Sequence, residues 1–178
     1  MIFFSINAPT QVLPQKDYLQ SFESGHNFTF EVGNHSQFNV TFVPHEGFGE
    51  MFRLRWRPEG RDVQETILRL KQSLNRSIEG DIHLYIKTEG KGGVMSFFLT
   101  ETDNDVWIFY TTIPMQQPYD GDLLIPLQNL SRAHWSQGDG NKSFASIKEF
   151  AIEFFSDGDQ QASMQVIYLD DIFVSTTG

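Results

Sequence analysis

Three kinds of side chain in this sequence could do chemistry: paired acids, exposed rings and scattered bases. Two adjacent acids, Asp170 and Asp171, interrupt the run SMQVIYLDDIFV near the C-terminus. Met164, Val166 and Tyr168 alternate with Gln165 and Ile167 as in a half-buried strand. Neighbouring strand residues point to opposite faces, so one of the two acids is expected outward and the other toward the interior, where a carboxylate needs a partner. In QNLSRAHWSQGDG, Arg132, His134 and Trp135 share a loop with no apolar periodicity that would bury the indole. In DNDVWIFY, Trp107 lies on the side opposite Val106 and Ile108, beside Asp103 and Asp105. Tyr85 and His83 share the polar side of DIHLYIK, and Glu153 and Phe155 alternate against Phe150, Ile152 and Phe154. Flat rings beside Arg, His and carboxylates can stack on an apolar face and hydrogen-bond its polar edge. Trp107, Trp135, Arg132, His134, Asp105, Tyr85 and Glu153 are therefore the candidate ligand-binding residues. Trp56, in register with Phe52 and Leu54, is expected in the core.

Catalytic motifs are missing. There is no Ser-centred elbow and no His-Glu-x-x-His, and GKGG after Glu89 lacks the Ser/Thr and helix of a phosphate loop. The five His are scattered, with no close pair to hold zinc. A glycosidase needs only two suitably spaced carboxylates, and 23 acidic residues supply such pairs by chance. A noncatalytic protein is expected. The formal charge of -10 disfavours nucleic acid and anionic polymers and favours cations or neutral ligands. With no Cys, disulfides and thiolate metal sites are excluded.

These residues must be positioned by strands. HNFTFEV, QFNVTFV, EMFRLRW, DIHLYIKT, VMSFFLTE, DVWIFYTTI, DLLIPL, EFAIEFF and MQVIYLDDIFV are separated by Gly- and Asp-rich turns, which predicts an all-β sandwich or barrel. DVQETILRLKQSLNRSIEG is ambiguous. Val63, Ile67, Leu70, Leu74 and Ile78 have helical spacing behind an Asp62/Glu65 capping box, yet TILRL would serve equally as a strand. A chain of 178 residues is read as one domain, 1–178. No run of about 18 apolar residues is present to span a membrane. The N-terminal MIFF is too short for a signal-peptide core and reads as a strand or an artificial start. Six sequons, at Asn27, Asn34, Asn39, Asn75, Asn129 and Asn141, fit a glycosylated secreted protein or simply an Asn- and Ser-rich chain.

Several segments occur in a telling order. The Phe-Glu-x-Gly turn of DYLQSFESG is followed by DIHLYIKTEGKGGVMSFFLTETDNDVWIFYTTI, then DLLIPLQNLSR, SIKEFAIEF and IYLDDIFV. This order resembles the carbohydrate-binding modules with a galactose-binding-like β-jelly roll, and is similar in pattern to the β-glucan-binding family 11 modules, over Asp17 to Val174. The resemblance implies two antiparallel sheets, a strand at TILRL, and a noncatalytic monomer that binds a polysaccharide or oligosaccharide in a concave-face cleft. It also implies a structural calcium ion shared by Glu23 and Asp170. Such a module would be a secreted, extracellular part of a larger polysaccharide-degrading chain, binding neutral β-glucan rather than membrane or nucleic acid. Two alternatives remain: a β-jelly-roll glycan hydrolase or lyase, and a protein-interaction sandwich of an assembly factor.

Overall fold

Alternating burial turns the short apolar segments into strands, and the computed structural model describes residues 15–33, 36–46, 49–58, 67–89, 93–113, 119–155 and 164–176. In chain order the strands are β1 (Gln15–Gln20), β2 (Thr29–Val32), β3 (Gln37–His45), β4 (Gly49–Arg57), β5 (Ile67–Arg76), β6 (Asp81–Glu89), β7 (Gly93–Glu101), β8 (Val106–Ile113), β9 (Asp120–Ile125), β10 (Ser131–Arg132), β11 (Ile147–Phe155) and β12 (Gln165–Thr176), with one 3-10 turn at Leu127–Asn129. They form an antiparallel β-sandwich of jelly-roll type. The first sheet runs β3-β4-β12-β6-β9, with β1 also paired to β12; the second runs β10-β8-β7-β11-β5-β2.

The core lies between the sheets because each strand turns alternate apolar residues inward. Strand β4 contributes Phe52, Leu54 and Trp56, all fully buried as expected, and β6 contributes Ile82, Leu84 and Ile86. Strands β7 and β11 face them with Met95, Phe97, Leu99, Phe150, Ile152 and Phe154. Phe52 sits at the centre of a ring cluster, 5.4 Å from Phe22 and 5.9 Å from Phe28. The half-buried His26 packs edge-on to Phe52 at 5.3 Å, and burial pushes its pKa down. The indole N–H of Trp56 has no hydrogen-bond partner among the described residues.

The ambiguous segment is a strand. Leu68 and Leu70 are fully buried while Ile67 is half-buried, and β5 is hydrogen-bonded on both edges, to β11 and β2. Two ladders satisfy its backbone more fully than an isolated helix could, so tertiary pairing overrides the local helical spacing. The Asp62/Glu65 pair and the N-terminal MIFF lie outside the described residues.

One expectation about β12 is corrected. Leu169 and Ile172 are both fully buried, and two residues rather than one stand between them. Across the ladder to β6, Asp170 pairs with Tyr85 and Phe173 with His83, three residues on one strand against two on the other. This is a β-bulge at Asp171, whose φ is +44°. The extra residue cancels the alternation, so Asp170 and Asp171 lie on the same outer face and neither enters the core.

Phe52→Ala is expected to cost about 3–5 kcal/mol, the usual range for emptying a buried ring site. Differential scanning calorimetry should show the melting temperature falling by roughly 6–20 °C for a chain of this size.

Candidate functional site

The bulge builds a cleft on the outer face of the first sheet. It has a volume of about 330 Å³ and is lined by Lys16, His45, His83, Tyr85, Asp122, Asp170, Asp171 and Phe173. Several strands of the sheet contribute: His45 from β3, His83 and Tyr85 from β6, Asp122 from β9, Lys16 from β1, and the two acids from the bulge in β12. His45 Nδ1 lies 2.8 Å from Asp170 Oδ2, and the other oxygen, Oδ1, accepts the backbone N–H of Asp171 at 2.9 Å. The His45 ring also packs 4.8 Å from the Tyr85 ring. Tyr85 donates its hydroxyl to Asp120 Oδ1 at 2.6 Å, and burial together with that carboxylate keeps the phenol protonated. Lys16 bonds Asp171 at 2.7 Å and lies 4.7 Å from the Phe173 ring centre, while His83 stacks on the same ring at 4.8 Å. Burial pushes the Asp170 carboxyl above its usual range, opposed by the His45 bond. The cleft thus offers two ring platforms, imidazole donors and carboxylate acceptors within one concave surface.

The second constellation anchors a loop. Asp105, fully buried, accepts Arg132 Nε at 2.7 Å on Oδ1 and Gly140 N at 2.5 Å on Oδ2. Glu101 accepts Trp107 Nε1 at 2.8 Å and the backbone N–H of Phe144 at 2.7 Å. Asp103 accepts from the N–H groups of Asp105 and Asp139, and these bonds hold its pKa below the usual value. A Cβ on Gly138 would come within 2.6 Å of the Asp105 carboxyl carbon, so this close approach requires glycine. The ligand oxygens of Glu101, Asp103 and Asp105 lie within 4.8 Å of one another and could hold a metal ion. Asp139, Asn141 and Ser143 line the adjoining cavity of about 300 Å³, so the donors are all oxygen, as a hard cation requires.

The expected ligand residues therefore separate. Tyr85 is in the cleft. Trp107 is corrected to the core: it is 6 % exposed and packs edge-on to Phe144 at 6.0 Å. Trp107 does alternate with Val106 and Ile108, but that aliphatic pair belongs to a small outer cluster with Phe98, Ala133 and Ala151, which turns the indole inward. Asp105 and Arg132 are corrected to loop anchors, since each is the other's partner. Glu153 is buried on the outer side of β11 against Arg69, and burial raises its pKa. Trp135 and His134 are exposed on the second sheet's side, opposite the cleft. Glu23 and Asp170 do not join in a cluster of three metal-ligating side chains among the described residues. Glu23 lies against Gly49, where a Cβ would collide with its carboxylate, and Asp170 is turned to His45. Sequence reasoning missed His45, Asp122 and Asp171. The Asp pair was the available signal, but the bulge that gives both acids one face is invisible to simple alternation.

Arg132→Ala is expected to destabilise the domain, toward the low end of about 3–5 kcal/mol because Arg132 is itself half-exposed, by leaving the Asp105 carboxylate buried without its counter-charge. A thermal melt reads this directly. Burial holds the folded pKa of Asp170 above the ordinary carboxylate value, so its ionised form is disfavoured by folding. As pH falls from neutral through the folded pKa toward about 4, the native protein should gain stability relative to Asp170→Asn. Paired melts across that range check the sign.

No family model and no curated protein matches the chain. Solved structures do match. A family 11 carbohydrate-binding module from Clostridium thermocellum, in complex with a β-1,3-1,4-mixed-linked tetrasaccharide, superposes with a TM-score of 0.66 at 16% identity, covering 90% of this chain and 96% of that one. The family 11 module of the cellulosomal cellulase Lic26A-Cel5E of the same organism gives 0.63 at 14% identity, covering 92% and 96%. An exo-β-agarase gives 0.59 at 12% identity, covering 91% of this chain but 25% of that enzyme. The chain has the β-sandwich fold of the family 11 carbohydrate-binding modules.

Proposed function

We propose that the protein is a noncatalytic carbohydrate-binding module that holds a neutral polysaccharide across the outer face of the first sheet. The observation that carries this reading is the cleft in which Tyr85, His45, Asp122 and Asp170 converge. A pyranose ring has an apolar C–H face that stacks on an aromatic side chain and a fringe of hydroxyls that needs donors and acceptors together. The imidazoles of His45 and His83 and the carboxylates of Asp122 and Asp170 supply both. The net charge of -10 favours a neutral polymer over an anionic one, and β-glucan is the first choice. A mixed-linked tetrasaccharide in the similar family 11 module supports that choice.

The module is proposed to be an extracellular monomer, part of a larger chain whose catalytic domain it carries to substrate. A matching fold that occupies a quarter of an exo-β-agarase supports this arrangement. Calcium is the proposed structural ion, held by the oxygens of Glu101 and Asp103 with Asp139 and Asn141 beside them. Bound there, it would neutralise carboxylates that otherwise repel one another and fix the 133–146 loop.

Isothermal titration against soluble β-glucan oligosaccharides tests the cleft. Tyr85→Ala should weaken binding several-fold or more, since ring stacking is worth on the order of 1 kcal/mol, with little change in melting temperature. Unaltered affinity in the folded variant would move the site elsewhere. Carboxylates sharing one cleft also fit a glycan hydrolase, and release of new reducing ends by the pure protein would favour that reading over the binding module. For the ion, EDTA should lower the melting temperature and added calcium should restore it, because a ligand of the folded state adds stability by mass action. An unchanged melt would remove calcium from the account.

A further inference from the structure

The cleft leaves the most exposed indole of the protein unexplained. Trp135 is 46 % exposed, whereas Trp56 and Trp107 are buried. Its loop is not loose. Ala133 N bonds Val106 O at 2.8 Å, Ser136 Oγ bonds both the N–H and the carbonyl of Val106, and Arg132 ties the base of the loop to Asp105 and to Gly138 O. A large apolar ring is thus held outward by a turn bonded on both sides of it. Holding such a ring in water has no benefit for folding, since exposed apolar area contributes nothing to the core.

Beside the indole is a depression of about 140 Å³, room for about five waters and hence for one sugar ring rather than a chain segment. Phe98, Val106 and Ala151 line it together with Thr100, so a little apolar surface beside the indole meets polar groups. Arg69 and Glu149 stand at its rim. Arg69 lies 5.5 Å over the Phe98 ring, and Phe98 is 6.5 Å from Trp135. Lys71 approaches Glu149 only to 3.6 Å, which leaves that carboxylate acceptor capacity. Along the same face Tyr110 is a further exposed ring, two residues beyond Ile108 and so about 7 Å along β8. The surrounding charges distinguish this surface from a protein-docking patch. Arg69 pairs with Glu31 and Glu153, and Lys71 with Glu31, whereas the centre of a protein interface is depleted of charged groups.

We propose that the outer face of the second sheet is a second carbohydrate site, in which Trp135 stacks on one pyranose ring of a neutral glycan while Arg69 and Glu149 hydrogen-bond its hydroxyls. The proposal rests on the carbohydrate-binding reading of the domain but on the face opposite the cleft. Two sites on opposite faces engage neighbouring chains of an insoluble polysaccharide at once, and each raises the effective concentration of the other.

The three indole N–H signals give a direct test by nuclear magnetic resonance titration of the labelled protein with gluco- and agaro-oligosaccharides. The expected result is that the Trp135 signal shifts with sugar in both the native protein and Tyr85→Ala, while the buried Trp56 and Trp107 signals stay in place. Retention of Trp135→Ala on an insoluble polysaccharide should fall about tenfold with an unchanged melting temperature, and Trp135→Phe should recover part of it. A Trp135 signal that ignores every sugar while the cleft residues respond overturns the second site and leaves the cleft reading standing. A Trp135 shift that disappears in Tyr85→Ala overturns it as well, since the indole would then only report occupancy of the cleft. Silence at both faces removes the carbohydrate reading itself.

Discussion

Strand β12 and its single inserted residue are the constraint on which the first sheet depends. Its first half pairs with β4 on one edge, and its second half pairs with β1 on that same edge, while β6 follows it along the other. The change of partner falls at Asp170–Asp171, where the backbone takes a positive φ that a non-glycine residue adopts only at a cost. Leu169 and Ile172 secure that cost by burying on both sides of the bulge. Removing the extra residue would reverse the facing of Ile172 and Val174, both buried, and take apolar surface out of the core. The bulge is therefore maintained by packing on one face and expressed as two neighbouring acids on the other.

That geometry makes the cleft thermodynamically unfavourable for the fold. Asp170 is 2 % exposed and lies on a sheet face with burial disfavouring its charge, and among the described residues His45 and one backbone N–H compensate. A residue chosen for stability alone would be apolar there. Carboxylates held at such a cost concentrate where a ligand uses them. The same reasoning separates the two acid groups of the protein. Glu101 and Asp105 are also buried, but they accept more bonds than Asp170 does, from Trp107, Arg132, Ser143 and loop N–H groups, so they pin the chain whether or not an ion shares their oxygens.

The pinned loop connects the interior to the outer face of the second sheet. Trp107 and Trp135 have opposite placements: the first donates its indole N–H to Glu101 within the core, and the second is displayed by the loop that Asp105 and Asp103 secure. The order of the anchor sets the rigidity of the platform, because a stacking ring that is already fixed loses little freedom when it binds.

Much of the architecture was legible in local pattern. Alternation in EMFRLRW and DIHLYIKT identified which side chains enter the core, and Phe52, Leu54, Trp56, Leu84 and Ile86 are where period two puts them. Tyr85 was legible as a polar-face ring for the same reason. Other assignments needed the assembled sheets. The helical spacing of Ile67, Leu70 and Leu74 was decided against by two neighbouring ladders, which no local rule contains. Whether Trp107 or Val106 faces inward depended on a second apolar cluster outside the sheet. Arg132 met Asp105 across 27 positions, and His45 met Asp170 across 125. The sequence by itself determined the alternation, and with it the strands and most of the core, because side-chain direction in a strand repeats every two residues. Only the tertiary structure decided which face each polar side chain shares with which, because that depends on register, on one inserted residue at Asp171 and on partners distant in the chain.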